Sequence, residues 1–293
     1  KRGAPWRALF TVNSSTPPHL RILSTFFSGM LTAPMRDTLT TLILDSPCPA
    51  DISRALTQLP NLTTLHASSF GCPFNGESFP SLTELSMTHT ERSSVLFAPK
   101  LRLFTMRHEV GLTNVLNLLR SDQLPDLHSL VLSHVVIARS PLSCFGEFTT
   151  LTNLHLDELY ARTARPASDF LFLASLTNLT HLRLGLVFFP RDTPANLFAN
   201  LSKLQSLRMH VMSRFPVSWL GLNNAEYSLQ TLIIAELDSN TRVGGLHSPP
   251  SVGQEQLTIE SVHALCQFQK LQHLQTWFIA PAHRQLLLIA LPA

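Results

Sequence analysis

The stretch NLTHLRLGLV, residues 178–187, places Leu179, Leu182 and Leu184 three and then two positions apart, with polar or charged residues between them. Residues two apart on an extended chain share a face, so Leu182 and Leu184 point one way while His181 and Arg183 point the other. NLTTLHASSF at 61–70 and SLTELSMTHT at 81–90 follow the same rule. Leading leucines fall at 39, 62, 82, 101, 127, 151, 179, 204, 229 and 271, with successive steps of 23, 20, 19, 26, 24, 28, 25, 25 and 42 residues. Each opens a window of the same form, from Leu39-Leu42-Leu44 and Leu62-Leu65-Ala67 through Leu101-Phe104-Met106 and Leu204-Leu207-Met209 to Leu229-Leu232-Ile234 and Leu271-Leu274. A strand this short cannot bury its apolar face alone. Stacking the windows pairs their strands into a parallel sheet and joins their leucines into one continuous core, the logic of a solenoid.

The repeats carried best by LPNLTTL, FPSLTEL and LTNLTHL resemble those of leucine-rich repeat proteins over roughly residues 39–280. All steps but the last lie within or beside the roughly 20–29 residues of that repeat. The resemblance implies an α/β leucine-rich repeat solenoid, with a curved parallel sheet on the concave side and helices and irregular turns on the convex side. The chain departs from the family pattern at the position eight residues after the leading leucine, where an Asn or Cys usually bonds the turn backbone. Here that position holds Pro47, Phe70, Thr90, Glu109, Val135, Leu159, Val187, Met212 and Leu237. The array is in this respect similar to the irregular intracellular arrays of F-box and ribonuclease-inhibitor-like proteins.

Helical spacing is expected on the convex side at Leu112, Val115, Leu116 and Leu119, at Ile52, Leu56 and Leu59 after Asp51, and at Ile259, Val262 and Cys266 after Thr258. The shortest steps, between 62 and 101, contain Pro73, Pro80 and Pro99 and leave room only for extended or turn-like returns. Residues 1–38 read as an N-terminal capping segment with a degenerate window at Leu20 and Leu23, and 39–237 as the repeats. Residues 238–257, rich in Gly, Pro and Ser, read as a polar loop insertion, and 258–293 as a C-terminal repeat and cap.

The composition is 44% hydrophobic and 14% charged, with 22 Lys and Arg against 19 Asp and Glu. A large core is available, and a weakly charged surface favours burial against a partner. The net charge of +3 comes without the run of basic residues that tracks a phosphate backbone, so nucleic acid is an unlikely partner on this reading. The longest apolar runs, FLFLAS at 170–175 and LLLIAL at 286–291, fall far short of the roughly 20 residues of a membrane span. Cys48, Cys72, Cys144 and Cys266 are scattered and form no CxxC pair, which points to an intracellular, cytoplasmic or nuclear protein. Sequons at Asn13, Asn61, Asn178 and Asn200 argue for secretion instead, but Asn61 and Asn178 stand just before a leading leucine and Asn200 at the same repeat boundary, where the repeat itself calls for Asn.

No phosphate loop, GxGxxG, HExxH, GxSxG or Cys-His zinc spacing occurs, so no catalysis, metal or cofactor is expected. The informative residues are those the strands do not bury. Positions alternating with the apolar rows line the concave sheet, among them Thr64, His66 and Ser68, Asn153, His155 and Asp157, His181, Arg183 and Gly185, and Ser206, Arg208 and His210. His155, Asp157, His181, Arg183, Arg208 and His210, from three consecutive repeats, together with Trp277, form the expected partner-binding set. That patch suits an acidic or hydrogen-bonding protein partner, and because histidine titrates near physiological pH its binding is expected to strengthen on acidification. The expected function is a non-enzymatic protein-protein interaction module. The family resemblance suggests the substrate-recognition part of an F-box-like ubiquitin-ligase adaptor, and the alternative is a structural subunit held permanently in a large multiprotein or ribonucleoprotein assembly.

Overall fold

The computed structural model describes residues 19–22, 37–44, 56–70, 75–90, 95–107, 119–133, 142–157, 167–187, 194, 197–211, 228–236 and 270–276. Its strands, in chain order, are β1 (His19–Ile22), β2 (Thr41–Leu44), β3 (Thr64–Phe70), β4 (Asn75–Ser78), β5 (Glu84–Thr90), β6 (Val95–Phe97) and β7 (Leu103–Arg107). There follow β8 (Ser129–Ser133), β9 (Asn153–Leu156), β10 (His181–Val187), β11 (Ser206–Val211), β12 (Thr231–Glu236) and β13 (His273–Thr276). All but β4 and β6 form one eleven-stranded sheet, ordered β1-β2-β3-β5-β7-β8-β9-β10-β11-β12-β13. Every neighbouring pair in it is parallel. Strands that follow one another along the chain also lie side by side, with no crossover, as a stack of repeats requires.

The register matches the windows residue for residue. Leu42, Leu65, Leu85, Phe104, Leu130, Leu154, Leu182, Leu207, Leu232 and Leu274 pair in series across the sheet. Apart from Leu274, which is partly buried, this row is closed to solvent, and so are the leading leucines and the row from Leu44 and Ala67 to Met209 and Ile234. Strict alternation along β7 and β8, where half-exposed and buried residues take turns, shows the cause: one face of the sheet rests on the leucine rows and the other is open. Ala67, the smallest member of its row, keeps unbroken register with Leu44 and Met87.

A fourth buried row stands three residues before the leading leucines, which the window reading did not single out. Leu59, Phe79, Ala98, Leu124, Phe148, Leu176 and Leu201 are all buried. In each case the amide of the leading leucine donates to the carbonyl of this residue, at 3.0–3.3 Å. An i to i+3 bond is the closure of a 3-10 turn, which brings residues three apart onto one side. In two returns the turn is extended into a 3-10 helix, Leu142–Glu147 and Ala167–Ser175. Leu142, Phe145 and Phe148, like Phe170, Leu173 and Leu176, keep the spacing of three and point into the core. Phe145 and Phe172 join the two helices, with ring centroids 5.8 Å apart and planes tilted by 57°.

Between 62 and 101 the returns are extended, as the prolines and short steps require: β4 and β6 pair in parallel as a separate two-stranded sheet. Two details depart from expectation. β1 pairs Leu20 with Leu42 and Ile22 with Leu44, so Leu20 occupies the second position of a repeat rather than the leading one. Gly185, expected on the open face, is buried, because the pairing of β10 with β11 shifts between Leu184 and Val187 as it does at a β-bulge. The helices expected around 112–118, 52–55 and 259–266, and the polar loop 238–257, lie outside the described residues. Leu119, Leu56 and Leu59, from the first two of those segments, are described and buried.

Candidate functional site

Each strand begins with the same backbone device. The carbonyl one residue after a leading leucine accepts two amides from the next repeat: Thr40 O takes Thr63 N and Thr64 N, and Thr152 O takes Thr180 N and His181 N. The series continues through Thr63, Thr83, Arg102, His128, Thr180, Gln205 and Gln230. Where the residue is threonine its hydroxyl adds a third bond to the same acceptor, as from Thr63 to Thr40 O at 3.1 Å and from Thr180 to Thr152 O at 2.9 Å. The sequon asparagines bind repeats in a similar way. Asn61 Nδ2 donates to Asp37 O at 2.7 Å, Asn178 Nδ2 to Thr149 O at 2.9 Å and Asn200 Nδ2 to Ala174 O at 3.2 Å. Asn178 also accepts from Lys203 Nζ at 2.6 Å, so one side chain ties three repeats. These bonds fix strand spacing and hence the places of the side chains on the open face.

On that face the central row runs Ile43, His66, Ser86, Thr105, Val131, His155, Arg183, Arg208, Ile233 and Gln275. Three of the expected binding residues, His155, Arg183 and Arg208, are therefore consecutive cross-strand neighbours, with adjacent strands about 4.8 Å apart. His181 stands in the parallel row between Asn153 and Ser206, and its Nδ1 lies 2.9 Å from Thr180 Oγ1. His210 pairs with Ala235 one step further along β11 and is half-buried. Trp277, His108 and His134 lie outside the described residues. Ser68 is less open than its position suggests: its hydroxyl is shielded from solvent and, among the described residues, has no hydrogen-bond partner.

Asp157, directly after β9, organises the centre of this group. Its Oδ1 lies 2.7 Å from His155 Nε2 and 3.3 Å from Arg183 Nε. His155 and Asp157 are well shielded, with side chains 18% and 19% exposed, whereas Arg183 is 44% exposed. The patch thus has an acid at its centre that holds one histidine and one arginine in place, a role that residue spacing alone did not reveal. Arg208 is exposed and, among the described residues, has no carboxylate partner. In the first half of the sheet a looser pair stands on this face: His66 Nε2 lies 3.8 Å from Glu84 Oε1, and both side chains are over a third exposed.

Other reactive groups offer little chemistry. Cys144 lies in the first 3-10 helix, and burial, assisted by the charge of Glu147, pushes the pKa of its thiol up to about 11. A thiol so protonated is a poor nucleophile. Among the described residues no cluster of His, Cys, Asp and Glu could hold a metal ion, and no helix is long and apolar enough to cross a membrane.

An open parallel sheet, repeating buried leucine rows and the described return segments define a leucine-rich repeat solenoid whose concave face carries mostly polar residues. Among solved structures the chain is similar to internalin C2 of Listeria monocytogenes, at 16% identity over 71% of this chain and 84% of that one, with a TM-score of 0.48. The internalin inlF of the same organism overlaps at 17% identity over 92% of this chain and 76% of that one, with a TM-score of 0.47. A leucine-rich repeat protein of Leptospira interrogans overlaps at 16% identity over 88% and 84%, with a TM-score of 0.32. No family model and no curated protein matches the chain. The assignment of the fold rests on the chain's own register and buried rows.

Proposed function

We propose that this chain is a non-enzymatic interaction module that receives a protein partner on the concave sheet, over β9, β10 and β11. The observation that supports this most directly is the row His155, Arg183, Arg208, whose two arginines stand exposed on strands whose other face is closed by leucines. A sheet that presents polar side chains in fixed register is suited to reading a protein surface, because the backbone positions of the contacts are set before binding. His181 and His210 flank the row, and Trp277 completes the proposed set.

The finer reading, the substrate-recognition part of an F-box-like adaptor inside the cell, draws on the irregular repeats and on four scattered cysteines that form no CxxC pair. The test of the module itself is photo-crosslinking. A photoreactive phenylalanine analogue at Val131, on the concave row, should yield protein adducts in a cell extract, whereas the same analogue at Leu171, exposed on the second 3-10 helix, should yield far fewer. Equal labelling from both positions would sink the reading.

A further inference from the structure

A finer feature of the same surface concerns Arg183 and Arg208, and it rests on the concave face being the binding face. The two residues occupy directly paired positions on neighbouring parallel strands. Like charges at such positions repel one another, so the pair is a cost to the free protein. Only one of the two is compensated among the described residues: Arg183 forms an ion pair with Asp157, its Nε lying 3.3 Å from Oδ1. Arg208 stands exposed beside it. A guanidinium is a planar fork with five donors, made for two-point recognition of an oxyanion.

We propose that Arg183 and Arg208 together receive one carboxylate, the side chain of a single Glu or Asp in an acidic segment of a protein partner. Charge favours a carboxylate over a phosphate. Two guanidiniums against the Asp157 carboxylate leave one positive charge among these groups, which a carboxylate neutralises. A phosphate carries up to two negative charges near pH 7 and would press the second against Asp157. Asp157 is a positioning residue here: its carboxylate meets Arg183 on the Nε side, away from the paired terminal nitrogens of the fork, which are the ones the partner's carboxylate would take. The shielded His155 on the same oxygen keeps that carboxylate from turning away.

The probes are short synthetic peptides, identical except for one central residue that is glutamate, phosphoserine or glutamine, titrated against the full chain while the arginine side-chain Nε–H signals are followed by NMR. The glutamate peptide should move the Arg183 and Arg208 signals and the glutamine peptide should not. Arg208→Gln should weaken the glutamate peptide about tenfold or more, the scale of one lost charge-assisted contact. Asp157→Asn should shift the preference towards phosphoserine. Thermal unfolding of Arg208→Gln without peptide should occur at an unchanged or higher temperature, since a repulsion is relieved. Preference of the wild type for phosphoserine, an unchanged affinity in Arg208→Gln, a lowered unfolding temperature in that variant, or no response to any peptide would each overturn the proposal. If the peptides fail while crosslinking from Val131 still marks partners, the concave face remains the binding face and only the carboxylate site is lost.

Discussion

At the scale of single residues, the side chains that matter most to the fold are those the windows name. Phe104 is fully buried in the second apolar row, between Leu85 and Leu130, and Phe104→Ala should cost about 3–5 kcal/mol in chemical denaturation. A cost below about 1 kcal/mol would mean that the row does not pack as described. Asn178→Ala removes a donor to Thr149 O and an acceptor for Lys203, both at the surface, and a loss near 1 kcal/mol is expected. Cys144, with its pKa pushed up to about 11, is almost wholly thiol at pH 8. It should resist alkylation in the folded chain and react readily once denaturant is added, as followed by mass spectrometry of its peptide. Because the shift is upward from 9.0, whatever stability the protonated thiol lends is present below about pH 9 and is lost as pH rises towards 11. His155, Arg183 and Arg208 could be placed in one row from the sequence, because a strand's period of two is rigid. Asp157 could be placed at their edge, but its bonds to two of them depend on side-chain rotamers that spacing does not encode.

At the scale of elements, strands were legible throughout and the described returns only in part, for a physical reason. A strand's apolar residues must alternate to reach one core, so the signal repeats at every rung. A return need only close the distance back to the sheet, by a 3-10 helix at Leu142–Glu147 or by an extended segment at Asn75–Ser78. What every described return shares is its last turn, with a buried residue three before the leading leucine. That signal stands in the sequence as Leu59, Phe79, Leu124, Phe148, Leu176 and Leu201, but a spacing of three alone does not match the three-and-four spacing of an α-helix. Leu176→Ala, at the end of the second 3-10 helix, should therefore cost as much as a strand core substitution, about 2–5 kcal/mol by denaturant unfolding. A value typical of exposed loops would remove the fourth row from the account.

At the scale of the whole molecule, each strand touches only its neighbours, so energetic effects should stay local. Leu130 in β8 and Leu232 in β12 lie four strands apart, about 19 Å at the spacing of paired strands. The costs of Leu130→Ala and Leu232→Ala should add within about 0.5 kcal/mol, and a coupling well above that would point to a core less divided than the stack implies. The solenoid could be read from the sequence because its signal is repeated ten times, whereas function depends on a few side chains on the open face that no repetition reinforces. The most direct test of those side chains compares proteins retained from a cell extract by the immobilised wild type, by Arg183→Gln/Arg208→Gln, and by Arg120→Gln, whose arginine pairs with Asp122 in the turn before β8. The account predicts a set of proteins held by the wild type and by Arg120→Gln that falls about tenfold or more with the concave double variant. Equal retention by all three would contradict it.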